Sequence, residues 1–221
     1  MFTSRSIQSS LSLREKIYSI DYLLLFSILL LGVISMFAMY STAGGSYDYH
    51  TKSHIIRFVV FFFLFLGISF LDLKFWYSTS TILYIIFFLL LLGVKYFGLT
   101  SSGSQRWINL YIINLQPSEL MKIGLIMFLA KYYHRIPSSD VNKIKYLFLP
   151  IVVLIAPVLL VITQPDLGTA VLIAAGGVVV AWLAGVRIKF FAYASIVFLS
   201  LAPIAISFLK PYQKARILRS E

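Results

Sequence analysis

The stretch YLLLFSILLLGVISMFAMY, Tyr22–Tyr40, decides the fold. It holds no charged residue over its whole length. A run of roughly 17–25 apolar residues is what a helix needs to cross a bilayer. It is too long for the core of a signal peptide, so it reads as a retained membrane span.

Six more such runs follow. The expected spans lie near 22–40, 55–71, 78–97, 117–133, 147–163, 167–184 and 190–209. The chain is 60% hydrophobic and only 12% charged over 221 residues, whereas soluble domains carry about a quarter charged residues. Within lipid every backbone polar group must be satisfied internally, which leaves helices or a closed barrel. The runs are continuous rather than alternating, and this argues against a barrel. The expected fold class is therefore an all-α integral membrane protein, a polytopic bundle of seven transmembrane helices over 22–209. Residues 1–21 form an N-terminal segment, and 210–221 begin a loop.

Lys and Arg set the orientation. With the N-terminus cytoplasmic, that side holds Arg5, Arg14, Lys16, Lys74, Lys131, Arg135, Lys143, Lys145, Arg187 and Lys189. The opposite side, before the tail, holds Lys52, Arg57, Lys95 and Arg106. The bias favours a cytoplasmic N-terminus. The tail breaks it, because Lys210, Lys214, Arg216 and Arg219 then fall outside. A net charge of +11 would suggest nucleic acid in a soluble protein. Here the basic residues flank apolar runs, so orientation and anionic lipid are the better readings, and no nucleic-acid partner is expected. The chain has no cysteine, which excludes disulfides and thiolate chemistry. His50, His54 and His134 make no ligand cluster, so no protein-held metal is expected.

Two segments carry polar groups at helix starts. In GSQRWINLYIINLQPSELMKIG, Gly103–Gly124, Pro117 suits the first position of a helix. Glu119 falls in the first turn, where a negative charge meets the positive helix end. Lys122, three residues on, shares its face. The two make either a structural ion pair or part of a polar cavity. Arg106 offers a planar fork for phosphate, or with Trp107 a plain interfacial anchor. In TQPDLGTA, Thr163–Ala170, Pro165 is expected to start the sixth span, with Asp166 in its first turn. Asp166 is the one formal charge between Lys145 and Arg187. It is either a capping carboxylate at a tight outer turn or a functional acid. Ala170, Ala174, Ala175, Gly176 and Gly177 follow, and small residues let helices approach closely. Arg106, Gln116, Glu119, Gln164 and Asp166 should lie at one membrane level, with Lys122 a turn deeper. Such a set can cradle a polar headgroup whose tail stays in lipid.

GSQRWINL, LQPSELMKIG and TQPDLGTA, in that order and with the tail LKPYQKARIL, resemble the SEDS family (shape, elongation, division and sporulation). They look closest to its rod-shape branch. The resemblance implies a peptidoglycan glycosyltransferase of the bacterial inner membrane that polymerises lipid II during cell elongation. It implies a class B penicillin-binding protein as transpeptidase partner, beside other elongation-complex membrane proteins. It places Arg106, Gln116, Glu119 and Lys122 among substrate-binding positions and Asp166 in a supporting catalytic role. A divalent cation accompanying the substrate diphosphate is the one cofactor it suggests. Family members run to about ten spans. The acid usually taken as catalytic sits in a loop after the seventh, so this chain is expected to be the N-terminal part of such a protein. A lipid-linked precursor flippase and a non-catalytic scaffold of the cell-wall machinery remain the alternatives.

Overall fold

The computed structural model describes residues 12–101, 104–109, 114–164 and 166–207. The chain divides into two compact units, Met1–Trp76 and Tyr77–Glu221. Among the described residues, seven helices of 17 to 25 residues overlap the seven apolar runs.

In the first unit a short helix, α1 (Leu13–Tyr18), opens with a capping box: Ser12 Oγ accepts from the Glu15 N–H, and Glu15 accepts from the Ser12 N–H. Helices α2 (Tyr22–Thr42) and α3 (Tyr49–Ser69) form a hairpin. Each starts on an aspartate cap, Asp21 accepting from Leu24 N and Asp48 from Thr51 N. Helix α2 stops where Gly44 takes a left-handed φ of 67°. The Phe58 ring of α3 fills the notch left by Gly32 of α2, and Ser35 of α2 hydrogen-bonds His54 of α3 at 3.0 Å. Lys16 is tied to the end of this unit. Its Nζ lies 2.7 Å from Asp72 Oδ1 and 2.8 Å from the Phe70 carbonyl.

Helix α4 (Leu73–Phe97) runs into the second unit. There β1 (Leu99–Ser101), β2 (Ser104–Asn109) and β3 (Asn114–Leu115) make a small antiparallel sheet in the order β1-β2-β3. Residues 98–116, between the third and fourth apolar runs, are polar and rich in Gly and Ser. They lack the alternating apolar pattern that marks a strand. Helices α5 (Pro117–His134), α6 (Ile144–Thr163), α7 (Leu167–Leu183) and α8 (Ile188–Ser207) follow. Helix α7 packs on both α5 and α6. Met121, Leu125 and Leu129 of α5, Val153 and Val161 of α6, and Ala170 and Ile173 of α7 share one core. The small residues act as expected of close-packed membrane helices. A Cβ on Gly177 would lie 2.5 Å from Leu154 Cδ1, and one on Gly124 2.7 Å from Phe87 Cδ2.

Two prolines inside α6, Pro150 and Pro157, are buried. Each lacks an N–H, so the carbonyl four residues earlier loses its helical partner. Those carbonyls belong to Tyr146 and Val153. The Tyr132 hydroxyl donates to Tyr146 O at 3.0 Å, and the Tyr84 hydroxyl to Val153 O at 2.9 Å. Neighbouring helices thus restore both broken backbone bonds, as a bilayer interior requires.

Tyr22–Thr42, Tyr49–Ser69, Leu73–Val94 and Ile144–Thr163 are each long and apolar enough to cross a membrane. Leu167–Leu183 is a shorter apolar helix. Helix α5 carries Glu119, Lys122 and Lys131, which lowers its apolar character. Outward-facing side chains are large and apolar, among them Leu23, Phe26, Phe63, Phe148 and Val171. A surface of that kind is stable against lipid rather than water.

Candidate substrate site at the α5 and α7 N-termini

The N-termini of α5 and α7 lie side by side. Gln116 is the N-cap residue of α5 and Pro117 its first residue, so the expectation for Pro117 holds. The Gln116 side chain makes no capping bond. Its amide is free to reach across to α7, where Nε2 donates to Asp166 Oδ2 at 3.2 Å. Asp166 is the N-cap of α7 rather than a first-turn residue, because the helix begins one residue later, at Leu167. Pro165 lies outside the described residues.

The two oxygens of Asp166 have different partners. Oδ1 accepts from the Thr169 N–H at 3.2 Å and caps α7. Oδ2 faces Gln116 and also Arg106, whose guanidinium nitrogen lies 3.6 Å away on β2. Asp166 is 8% exposed, and the Arg106 side chain 26%. A carboxylate so enclosed requires partners. It has a cation, an amide and a backbone N–H, with the positive end of a helix beneath it.

This arrangement separates Asp166 from the other described acids. Glu15, Asp21 and Asp48 serve local caps, Asp72 pairs with Lys16, and Asp140 with Lys143. Glu119 and Lys122 pair with each other at 2.8 Å on the exposed side of the first turns of α5. The Glu119 backbone N–H donates to the Gln116 carbonyl at 3.0 Å, which links the pair to the cluster at the start of α5. The site has two parts: a half-buried cluster and a more exposed ion pair on the same helix. Trp107, next to Arg106 on β2, is 36% exposed.

Gln164 has a different task from the one its sequence position suggested. Its Nε2 donates to the Leu91 carbonyl at 3.0 Å, bracing the α6–α7 turn against α4. The sequence offers no signal for that bond, which joins residues 73 positions apart. Among the described residues, no group of three or more His, Asp or Glu stands together to hold a metal ion. The tail with Lys210, Lys214, Arg216 and Arg219 lies outside the described residues.

A predominantly helical, multi-pass membrane fold with charged helix starts gathered at one end defines the class. Comparison with known proteins names the family: this chain belongs to the SEDS family, the FtsW/RodA/SpoVE group of cell cycle proteins, whose profile matches residues 16–220. It is similar to the probable peptidoglycan glycosyltransferase FtsW of Buchnera aphidicola subsp. Schizaphis graminum (strain Sg), with 33% identity over 79% of this chain and 50% of that protein. Its fold is similar to that of a chain in a peptidoglycan synthase complex, studied for the structural coordination of polymerization and crosslinking. The TM-score is 0.74, with 27% identity over 90% of this chain and 58% of the other. It is also similar to the rod shape determining protein RodA of Thermus thermophilus, with a TM-score of 0.68 and 25% identity over 80% of this chain and 60% of the other. The chain spans about half the length of the FtsW relative.

Proposed function

We propose that this chain supplies the substrate-binding half of a peptidoglycan glycosyltransferase that polymerises lipid II during cell elongation. The observation that carries this reading is the bridging of Arg106 and Gln116 by Asp166 at the paired N-termini of α5 and α7. Positive helix ends, a guanidinium and amide donors suit a diphosphate.

In the reaction an acceptor sugar hydroxyl attacks the anomeric carbon of the donor. The bond from that carbon to the lipid diphosphate breaks, and the hydroxyl proton passes to a base. Arg106 and Lys122 balance the negative charge that builds on the leaving diphosphate. Asp166 holds Arg106 in place and Glu119 orients Lys122. A divalent cation arriving with the diphosphate would share the charge. The resemblance assigns the base to the loop after the seventh span, so Asp166 takes a supporting role.

In the same reading the seven long helices cross the bacterial inner membrane with the N-terminus cytoplasmic. The cluster then opens to the outer face, beside a class B penicillin-binding protein that cross-links the product. Similarity to both an FtsW and a RodA fits either division or elongation. The rod-shape assignment rests on the motifs quoted above.

Reconstituting, in vesicles with labelled lipid II, a full-length version that joins this chain to the loop holding the base tests the proposal. Glycan polymer is the expected product. Leaflet exchange without polymer would make the protein a transporter, and neither outcome would leave a scaffold.

A further inference from the structure

The end of α5 opposite the substrate site carries a second charged cluster. Tyr77 of α4 sits among three basic side chains at the end of α5. Arg135 Nε donates to the Tyr77 hydroxyl at 2.9 Å, and its guanidinium carbon lies 5.5 Å from the ring centre. Lys131 Nζ lies 5.4 Å from the same ring centre and donates to Ser78 O and Thr81 Oγ1, both at 3.1 Å. The His134 ring meets Tyr77 edge-on at 5.6 Å. Among the described residues, no carboxylate forms an ion pair with Lys131, His134 or Arg135.

Lys131 and Arg135 stand four residues apart on one helical path, where like charges repel. Contacts of both with one aromatic ring hold them together. A cation pair gathered without a carboxylate calls for an outside anion. The surroundings favour an anion that carries a hydrocarbon tail. On α4 the stripe of Tyr77 and Thr81 continues to Ile85, which is half exposed. On α5 the stripe from His134 continues to Ile123, which is exposed. The basic cluster therefore stands at the head of an outward-facing apolar track.

We propose that Tyr77, Lys131, His134 and Arg135 form a binding site for the phosphate of an anionic phospholipid, whose acyl chains lie along the exposed track of α4 and α5.

The test uses acyl-labelled phosphatidylglycerol titrated with the purified chain in a non-ionic detergent, read by fluorescence anisotropy. K131Q/R135Q should weaken binding by roughly fivefold per cation, about twenty-fivefold together. Because Lys131 also ties α5 to α4, R135Q alone is measured beside it and should weaken binding about fivefold. K145Q/K189Q removes the same charge from other exposed positions and should leave binding unchanged. Labelled phosphatidylcholine should bind wild type and variants alike. Equal weakening by K145Q/K189Q, or full binding by R135Q and K131Q/R135Q, would overturn the proposal. Full competition by millimolar inorganic phosphate would also overturn it, showing a free-anion site instead.

Discussion

Gln116 and Asp166, fifty positions apart in sequence, are the N-cap residues of two neighbouring helices and are joined by a bond of 3.2 Å. Gln116 can make it because it leaves its own helix uncapped. Removing the amide with Q116L should destabilise the protein by about 1.5–3 kcal/mol, the usual range for a hydrogen bond to a charged group. Q116E should be worse, because it sets a second carboxylate against Asp166 Oδ2. Thermal unfolding in detergent checks both. Equal stability of wild type and Q116E would mean that the bond does not hold these helix ends together.

The tyrosine–proline pairs across α6 give a sharper test of membrane packing. Y84F removes one hydroxyl and leaves the Val153 carbonyl without its donor. The expected loss is about 1–3 kcal/mol. Y84F combined with P157A should recover part of it, because an alanine in place of Pro157 restores the N–H that Val153 O lacks. A double mutant no more stable than Y84F would contradict this account of the two prolines.

Close approach of α6 and α7 depends on Gly177. G177V should lower stability by about 1–3 kcal/mol, the usual range for overpacking. Truncating the opposing Leu154 in G177V/L154A should relieve part of that loss, since the added methyl groups would enter the vacated space. Thermal unfolding of the three variants measures the coupling.

Asp140 lies in the connection between α5 and α6. A hydrogen bond from the Lys143 ammonium, 2.9 Å away, holds its carboxyl below the ordinary value of 3.8. A depressed carboxyl contributes stability above its unfolded value, and that contribution fades as pH falls through the folded one. D140N should therefore lower stability slightly at neutral pH, leave the acid end unchanged and so flatten the acid limb of the stability profile. Unfolding temperature against pH, compared with wild type, reads this out.

The long helices were legible because lipid demands continuous apolar runs. The helices also take in flanking polar turns, so α3 starts at Tyr49 and α4 at Leu73, five or six residues before the apolar runs begin. The β1–β3 sheet was not legible, because its strands are short, polar and paired only through neighbouring backbone. Pro117 announced the start of α5 by its missing N–H. Asp166 could be read as a cap or as a functional acid, and nothing in the sequence said that one oxygen caps α7 while the other faces Gln116 and Arg106. Its pairing with Gln116 and Arg106 depends on the packing of α7 against α5, which no local pattern encodes.

The central claim is that the Asp166 carboxylate organises the substrate site. The direct measurement is glycan polymer output from labelled lipid II by wild type and D166N, each reconstituted as a full-length version that includes the loop holding the base, with the fold monitored by thermal unfolding. Asparagine keeps an oxygen to cap α7 but lacks the charge that faces Arg106. The account predicts a wild type that polymerises, and a folded D166N with output reduced at least about a hundredfold, the scale of losing a preorganised electrostatic group. Polymer from D166N at the wild-type rate would contradict it.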